Sequence, residues 1–385
     1  MSKLLASARR LGPCSLTAAA WAFLFGVTAA LAADKTFHSE LHSFRLVNVA
    51  RGLDRPWSLA FLPDGRMLVT ERRGLLRLVT DGKVRRQPVD GLPSNIQSGG
   101  QGGLLDVVLH PNFARNGWIY LSYTGRGGSG VGTEVVRARF NDDRLTDIKT
   151  IFRALPKSLS GHHFGSRLVL SKDGYLYITL GDRAERNSAQ NLNDHRGSII
   201  RLWPDGRVPD DNPFVSKSSA RPEIFTYGNR NVQGAALQPK SGLIWMHEHG
   251  PRGGDEVNIA RAGANYGWPL VSHGINYDGS TISERSTRPD VEPPIHTWVP
   301  SIAPSGMTFY NGDVFPNWRD NLFVGALRAR LLARLELRGR TVVHEERLLL
   351  GEIGRIRDVR QGPEGFIYLL NDSSVGGIFR LEPVN

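Results

Sequence analysis

The chain of 385 residues holds a single cysteine, Cys14, and only four methionines. Cys14 falls inside an N-terminal leader, so the rest of the chain has no disulfide and no thiol chemistry. An exported protein without disulfides must rely on its core, or on bound metal, for stability. Long stretches of helical period are scarce as well. Lysine and arginine never gather into a run interleaved with aromatics, which argues against a nucleic-acid face. The formal net charge is +11, and the leader's Lys3, Arg9 and Arg10 supply three of these charges, leaving +8. A solvated basic surface accounts for most of that surplus. A local arginine cluster for an anionic ligand is the sharper reading.

The leader itself is legible. Its basic residues precede an apolar run from about Leu16 to Leu31, which closes on Ala30-Leu31-Ala32. The run is short for a membrane span, and small residues at Ala30 and Ala32 suit signal peptidase. Cleavage near Ala32, export to the periplasm and no stable membrane insertion are the expectations. Residues 33–385 are then expected to form one domain.

What the sequence has in quantity is turns, with 43 glycines and 22 prolines. One pattern recurs: a short apolar strand, a polar turn and a second alternating strand. It is clear in "LAFLPDGRMLVTER" at Leu59–Arg72, "LVLSKDGYLYITLGD" at Leu168–Asp182 and "AALQPKSGLIWMHEHG" at Ala235–Gly250. It returns at Val107–Thr124, Met307–Leu327 and Val359–Asp372. The turns place Gly65, Gly117, Gly174, Gly242, Asn321 and Gly365 where tight hairpins need positive φ. Six copies at intervals of roughly 45 to 80 residues predict an all-β fold, a six-bladed β-propeller of four-stranded antiparallel blades. A β-sandwich requires no such repeat. Ring closure is expected where "SFRLVNVA" at Ser43–Ala50 pairs with "GIFRLEPV" at Gly377–Val384. The largest insertions, Asp182 to Phe225 and Gly250 to Gly306, are where a rigid scaffold would carry a site.

Four segments could carry chemistry. In "SGHHFGSRL", His162 and His163 are adjacent, so on a strand they point to opposite faces. They are poor partners for one metal, but one of them could line the channel as a general base with Asp182 orienting it. Spacing alone leaves base and structural roles open. "YGNRNVQG" at Tyr227–Gly234 concentrates Arg230, Asn231 and Gln233 as ligand-facing groups or as a solvated loop. "HEHGPRGGDEVN" at His247–Asn258 offers the carbonyls of Gly250 and Pro251 with the carboxylates of Asp255 and Glu256, a composition compatible with a hard cation. In "GRIRDV", Arg355 and Arg357 alternate at strand period and share a face suited to carboxylates or phosphates.

Taken in order, "GQGGLLDVVLHP", "HHFGSRL", "LGD", "YGNRNVQG", "HGPRGGDE", "NYGWP" and "RIRDV" resemble the soluble pyrroloquinoline quinone (PQQ)-dependent sugar dehydrogenases, and most of all their bacterial aldose branch. The resemblance covers nearly all of the chain after the leader. It implies a six-bladed propeller that oxidises aldoses at C1 to the lactone, with PQQ and Ca2+ as cofactors. It implies His163 as catalytic base and Asp182 as its supporting acid. It assigns Gln101, Arg230, Asn231, Arg328, Arg355 and Arg357 to the cofactor. The backbone carbonyls of Gly250 and Pro251 are implied for the catalytic calcium, and Glu256 and Tyr266 for a further one. The implied partners are a small-molecule aldose and an external electron acceptor. Two positions depart from the glucose enzymes: His249 replaces a glutamine, and Arg328 a lysine. The rival readings are a calcium-dependent lactonase-type hydrolase and a non-catalytic binding propeller.

Overall fold

The computed structural model describes residues 35–128 and 130–384. The leader expected over residues 1–32, with Cys14, lies outside the described residues. Six antiparallel sheets follow one another along the chain. Each quoted repeat forms the inner hairpin of one sheet, as in Leu168–Leu170 with Leu176–Thr179 and in Val232–Leu237 with Ile244–Glu248. The innermost strands pack side by side around a ring, and Ile356–Gln361 of the last sheet returns to Pro56–Phe61 of the first. The six-bladed propeller expected from the repeats is the fold.

The expected seam is also present. Ser43–Leu53 lies against Gly376–Pro383 in antiparallel register, with Phe44 opposite Pro383 and Ala50 opposite Ile378. That sheet has five strands rather than the expected four, because Thr36–His38 adds an outer strand. Positive φ is found at Gly65, Gly117, Gly174, Gly242 and Gly365, as the turns require. In the fifth repeat the left-handed residue is Asp320, at φ 66°, and not Asn321. Asn321 instead accepts a bond from the buried Arg334 through Oδ1 at 2.6 Å.

Middle strands such as Met67–Glu71 are buried on both faces because a neighbouring blade covers each side. The apolar core is therefore divided into wedges between blades. Trp245, Val257, Val324 and Ala333 fill the wedge between the fourth and fifth blades, and Phe323, Leu332, Ile356 and Leu369 the next. Full burial of one such large side chain contributes about 1.5–3 kcal/mol. Among the described residues no helix is long and apolar enough to cross a membrane.

Candidate active site

Loops entering the innermost strands of the second, third and fourth blades meet other loops of the third and fourth blades at a cavity of about 430 Å3. His163, Asp182, Gln101, Arg230, Pro251 and Trp268 all line it. His163 is not on a strand. It stands in a loop at φ 54°, and both His162 and His163 face the cavity, so the expectation that they point to opposite faces fails. The strand geometry behind that expectation does not apply to a left-handed loop residue.

The His163 Nδ1 lies 2.6 Å from Asp182 Oδ1. An ionised carboxylate can only accept, so Nδ1 carries the proton and Nε2 is left with its lone pair. Asp182 is buried and fully engaged: Oδ1 also accepts from the Ala184 amide at 2.8 Å, and Oδ2 from Trp268 Nε1 at 2.8 Å. Burial pushes the imidazole of His163 below the ordinary histidine value. The bond to Asp182 opposes this, Arg230 and His162 reinforce it, and the net direction is down. A neutral imidazole oriented by a carboxylate is the form a general base needs near neutral pH. Trp268 was not singled out from the sequence beyond its place in "NYGWP"; nothing in that stretch marks an indole N–H as the second donor to the acid.

Arg230 donates through Nη1 to the carbonyls of His249 at 3.0 Å and Gly250 at 3.2 Å, and its guanidinium lies 5.4 Å from the Trp268 ring centre. The neighbouring Asn231 accepts from the Gly165 amide at 3.1 Å, while its buried Nδ2 has no partner among the described residues.

Arg355 stands just before the strand Ile356–Gln361 that carries Arg357, and the two meet at one carboxylate. Both reach Asp372 Oδ2, at 3.3 Å and 3.1 Å. Neither is among the residues lining the cavity around His163. A bond at 3.1 Å from Arg357 Nη1 to Gln233 Oε1 links the pair toward Asn231. Burial lowers Arg357 to about 10. Burial also raises the Asp372 carboxyl, but Arg357, Arg72 and Arg355 together outweigh it and hold the group below its usual value. Three cations surrounding one carboxylate leave positive charge to spare for an anion. Arg328 is exposed beside Leu327, whose carbonyl accepts from Arg355 at 3.3 Å.

Among the described residues no cluster of three or more histidine, cysteine or acidic side chains forms a ready metal site. A cation here needs backbone carbonyls as well. Asp255, one of the two acids noted in the sequence, is spent on structure: it accepts from the Gly250, Ile302 and Ala303 amides at 2.8, 2.8 and 2.9 Å. Glu256 is different. It sits directly across the strand pair from Glu248; Glu248 is buried and Glu256 half-buried. Removal from water raises both carboxyls above the ordinary range, and the charge of Glu248 adds to the rise at Glu256. Like charges in a cross-strand pair repel, and a cation between them removes that cost. A small cavity of about 20 Å3, lined by Glu248, Glu256, Tyr266 and Gly250, is of the size for one ion or water. The Tyr266 hydroxyl donates to the Ile259 carbonyl and accepts from the Arg261 amide at 3.1 Å, and the Tyr266 amide donates to the Tyr227 carbonyl at 2.9 Å. Glu248 went unnoticed in the sequence because its pairing with Glu256 exists only in the strand register.

The glucose/sorbosone dehydrogenase family model matches residues 53–380. Aldose sugar dehydrogenase YliI of Escherichia coli is 48% identical over 339 residues, covering 86% of this chain and 91% of that protein. The crystal structure of the soluble E. coli aldose sugar dehydrogenase in its apo form superposes with a TM-score of 0.86 at 45% identity, covering 89% of this chain and all of that one. The PQQ-bound aldose sugar dehydrogenase of Streptomyces coelicolor superposes at 0.72 with 27% identity, covering 88% and 98%.

Proposed function

Because this chain belongs to the glucose/sorbosone dehydrogenase family, we propose that it oxidises aldose sugars at C1 to the lactone, using PQQ and Ca2+, and passes the electrons to an external acceptor in the periplasm. The coarser statement, that it is a sugar-oxidising dehydrogenase, follows from the family itself. The observation carrying the finer one is the His163–Asp182–Trp268 chain of hydrogen bonds opening on a cavity that also holds Gln101 and Arg230.

PQQ, when bound, supplies the quinone that accepts the hydride, and calcium supplies Lewis acidity beside it. The residues present suit that pair. Arg355 and Arg357, with Arg230, Asn231, Gln101 and Arg328, provide cations and amide groups for its three carboxylates and ring oxygens. The carbonyls of Gly250 and Pro251 would hold the nearby calcium; Glu256 and Tyr266, with Glu248, would hold a further one. His163 Nε2 removes the proton of the sugar C1 hydroxyl. Asp182 keeps the imidazole in the correct tautomer and stabilises the cation that forms.

A hydrolytic reading fits less well. Asp182 is the one acidic residue lining the cavity, and its oxygens are committed. The test is reconstitution: purified protein is loaded with PQQ and calcium, and dye reduction is followed with a panel of aldoses. Absence of both PQQ binding and aldose-dependent turnover defeats the proposal. Calcium alone is expected to raise the melting temperature, and Glu256→Gln to remove part of that gain. Arg357→Met is expected to weaken PQQ binding by about 10- to 100-fold, the value of one or two hydrogen bonds to a charged group, as measured by fluorescence quenching. Unchanged PQQ affinity in that variant would remove Arg357 from the cofactor site.

A further inference from the structure

Arg183 is a buried cation without a carboxylate of its own. It is 4% exposed. Its two neighbouring acids are engaged elsewhere: Asp182 with His163 and Trp268, and Glu185 with Ser158 and Arg196. What Arg183 holds is main chain. Its two terminal nitrogens donate to the carbonyls of Ser160 and His162, and its guanidinium lies 3.3 Å from the centre of the Phe164 ring. Its Nε is buried without a partner among the described residues. Burying a charge in this way is costly, so the loop it grips must gain from the grip.

That loop carries the base. Gln101 holds it as well, with its main-chain N–H donating to the Gly161 carbonyl at 2.9 Å and its side-chain Oε1 accepting from the His163 main-chain N–H at 2.8 Å. Two residues therefore fix the carbonyls of 160, 161 and 162 and the amide of 163. His163 needs such support, because it sits at φ 54°, a conformation costing a β-carbon residue about 1–2 kcal/mol. Arg183 and Ala184 are themselves left-handed, at φ 58° and 61°, so the turn after Asp182 is bent to deliver the guanidinium to the loop. Asp182 and Arg183 are consecutive: one holds the imidazole and the other holds the backbone it hangs from.

We infer that Arg183 is a positioning residue that presets the His163 imidazole against Asp182, with Nε2 presented to the cavity, before any cofactor or sugar arrives. The inference rests on His163 being the base, and its test has one arm that does not depend on turnover. In cofactor-free protein with 15N-labelled histidine, the parent is expected to show His163 as a single Nδ1–H tautomer. Arg183→Met is expected to show mixed tautomers and a titration moved toward that of a free histidine. In reconstituted enzyme Arg183→Met is expected to lower kcat by about 30- to 100-fold, as for other misplaced catalytic groups, with sugar KM within about threefold and PQQ affinity retained. Arg183→Lys keeps the charge but reaches one carbonyl at most, and is expected to recover part of kcat. An unchanged His163 spectrum with kcat within twofold of the parent, in either variant, overturns the inference. If Arg183→Met does not fold, Arg183→Lys decides alone, since full parental kcat there shows the two-pronged grip is not needed. If the parent oxidises no sugar, the functional reading fails while the spectra still answer for Arg183.

Discussion

Replacing His163 by asparagine is expected to lower kcat for aldose oxidation by about 10²- to 10⁴-fold, the span over which a positioned general base acts. PQQ affinity and melting temperature are expected to stay near parental values, because the His163 side chain bonds only to Asp182 in the described structure. A companion Asp182→Asn change places an amide where a carboxylate accepts from Nδ1, Trp268 and Ala184. It is expected to disturb the tautomer and lower kcat without removing the base. The pH profile follows from the direction of the His163 shift. A lowered value means the neutral, reactive form persists below the ordinary histidine range. The acid limb of kcat/KM is therefore expected below about 6.5, with Asp182, Arg230 and His162 as the ionisable groups setting it. Retention of parental kcat in His163→Asn would remove this residue from the chemistry.

Arg167→Met is expected to destabilise the fold by about 3–5 kcal/mol, the cost of leaving buried partners without their counter-charge. Arg167 is 2% exposed and stands at the centre of the ring. Its Nη1 lies 3.0 Å from Asp358 and 3.4 Å from Asp106; Nε donates to the Gln233 carbonyl at 3.0 Å and Nη2 to that of Arg357 at 3.2 Å. One side chain of the third blade thus touches the second, fourth and sixth. Arg360 shares Asp106 and Asp358, at 2.8 Å each, and softens the loss without removing it. The check is the denaturation midpoint of the cofactor-free protein. A second substitution, Asp106→Asn, in the Arg167→Met background is expected to cost less than it does in the parent, because the two changes share one network. A loss under about 1 kcal/mol for Arg167→Met would show that Arg360 suffices as counter-charge.

Much of the fold was readable because it repeats. Five of the six inner hairpins carry a turn glycine and the fifth in order carries Asp320 in its place, and six such units in order leave little choice of architecture. The Asp320 turn was missed because aspartate and asparagine both tolerate the left-handed conformation, and nothing local separates them. The site was readable in part. Arg355 and Arg357 were paired by strand period, and they do meet at Asp372, although Arg355 stands just before the strand Ile356–Gln361. His162 and His163 do not, since their loop is shaped by Gln101 and Arg183, which lie 62 and about 20 residues away in the chain. The Glu248–Glu256 pair needs the strand register, and the Trp268 bond to Asp182 spans 86 residues. Contacts of that range leave no mark in local spacing.

Ser43–Leu53 reaches its sheet from the opposite end of the chain, and the innermost strand of that sheet, Ile356–Gln361, carries Arg357. Peeling the latch away would loosen the sheet that presents the arginine. Whatever grips Arg357 must then be released, or must hold the latch shut by its own binding free energy. Occupancy at the centre of the ring should accordingly be legible at its rim, as slower deuterium uptake by the amides of Gly376–Pro383. The strand that ties the two ends of the chain together doubles as a gauge of how firmly the middle is filled.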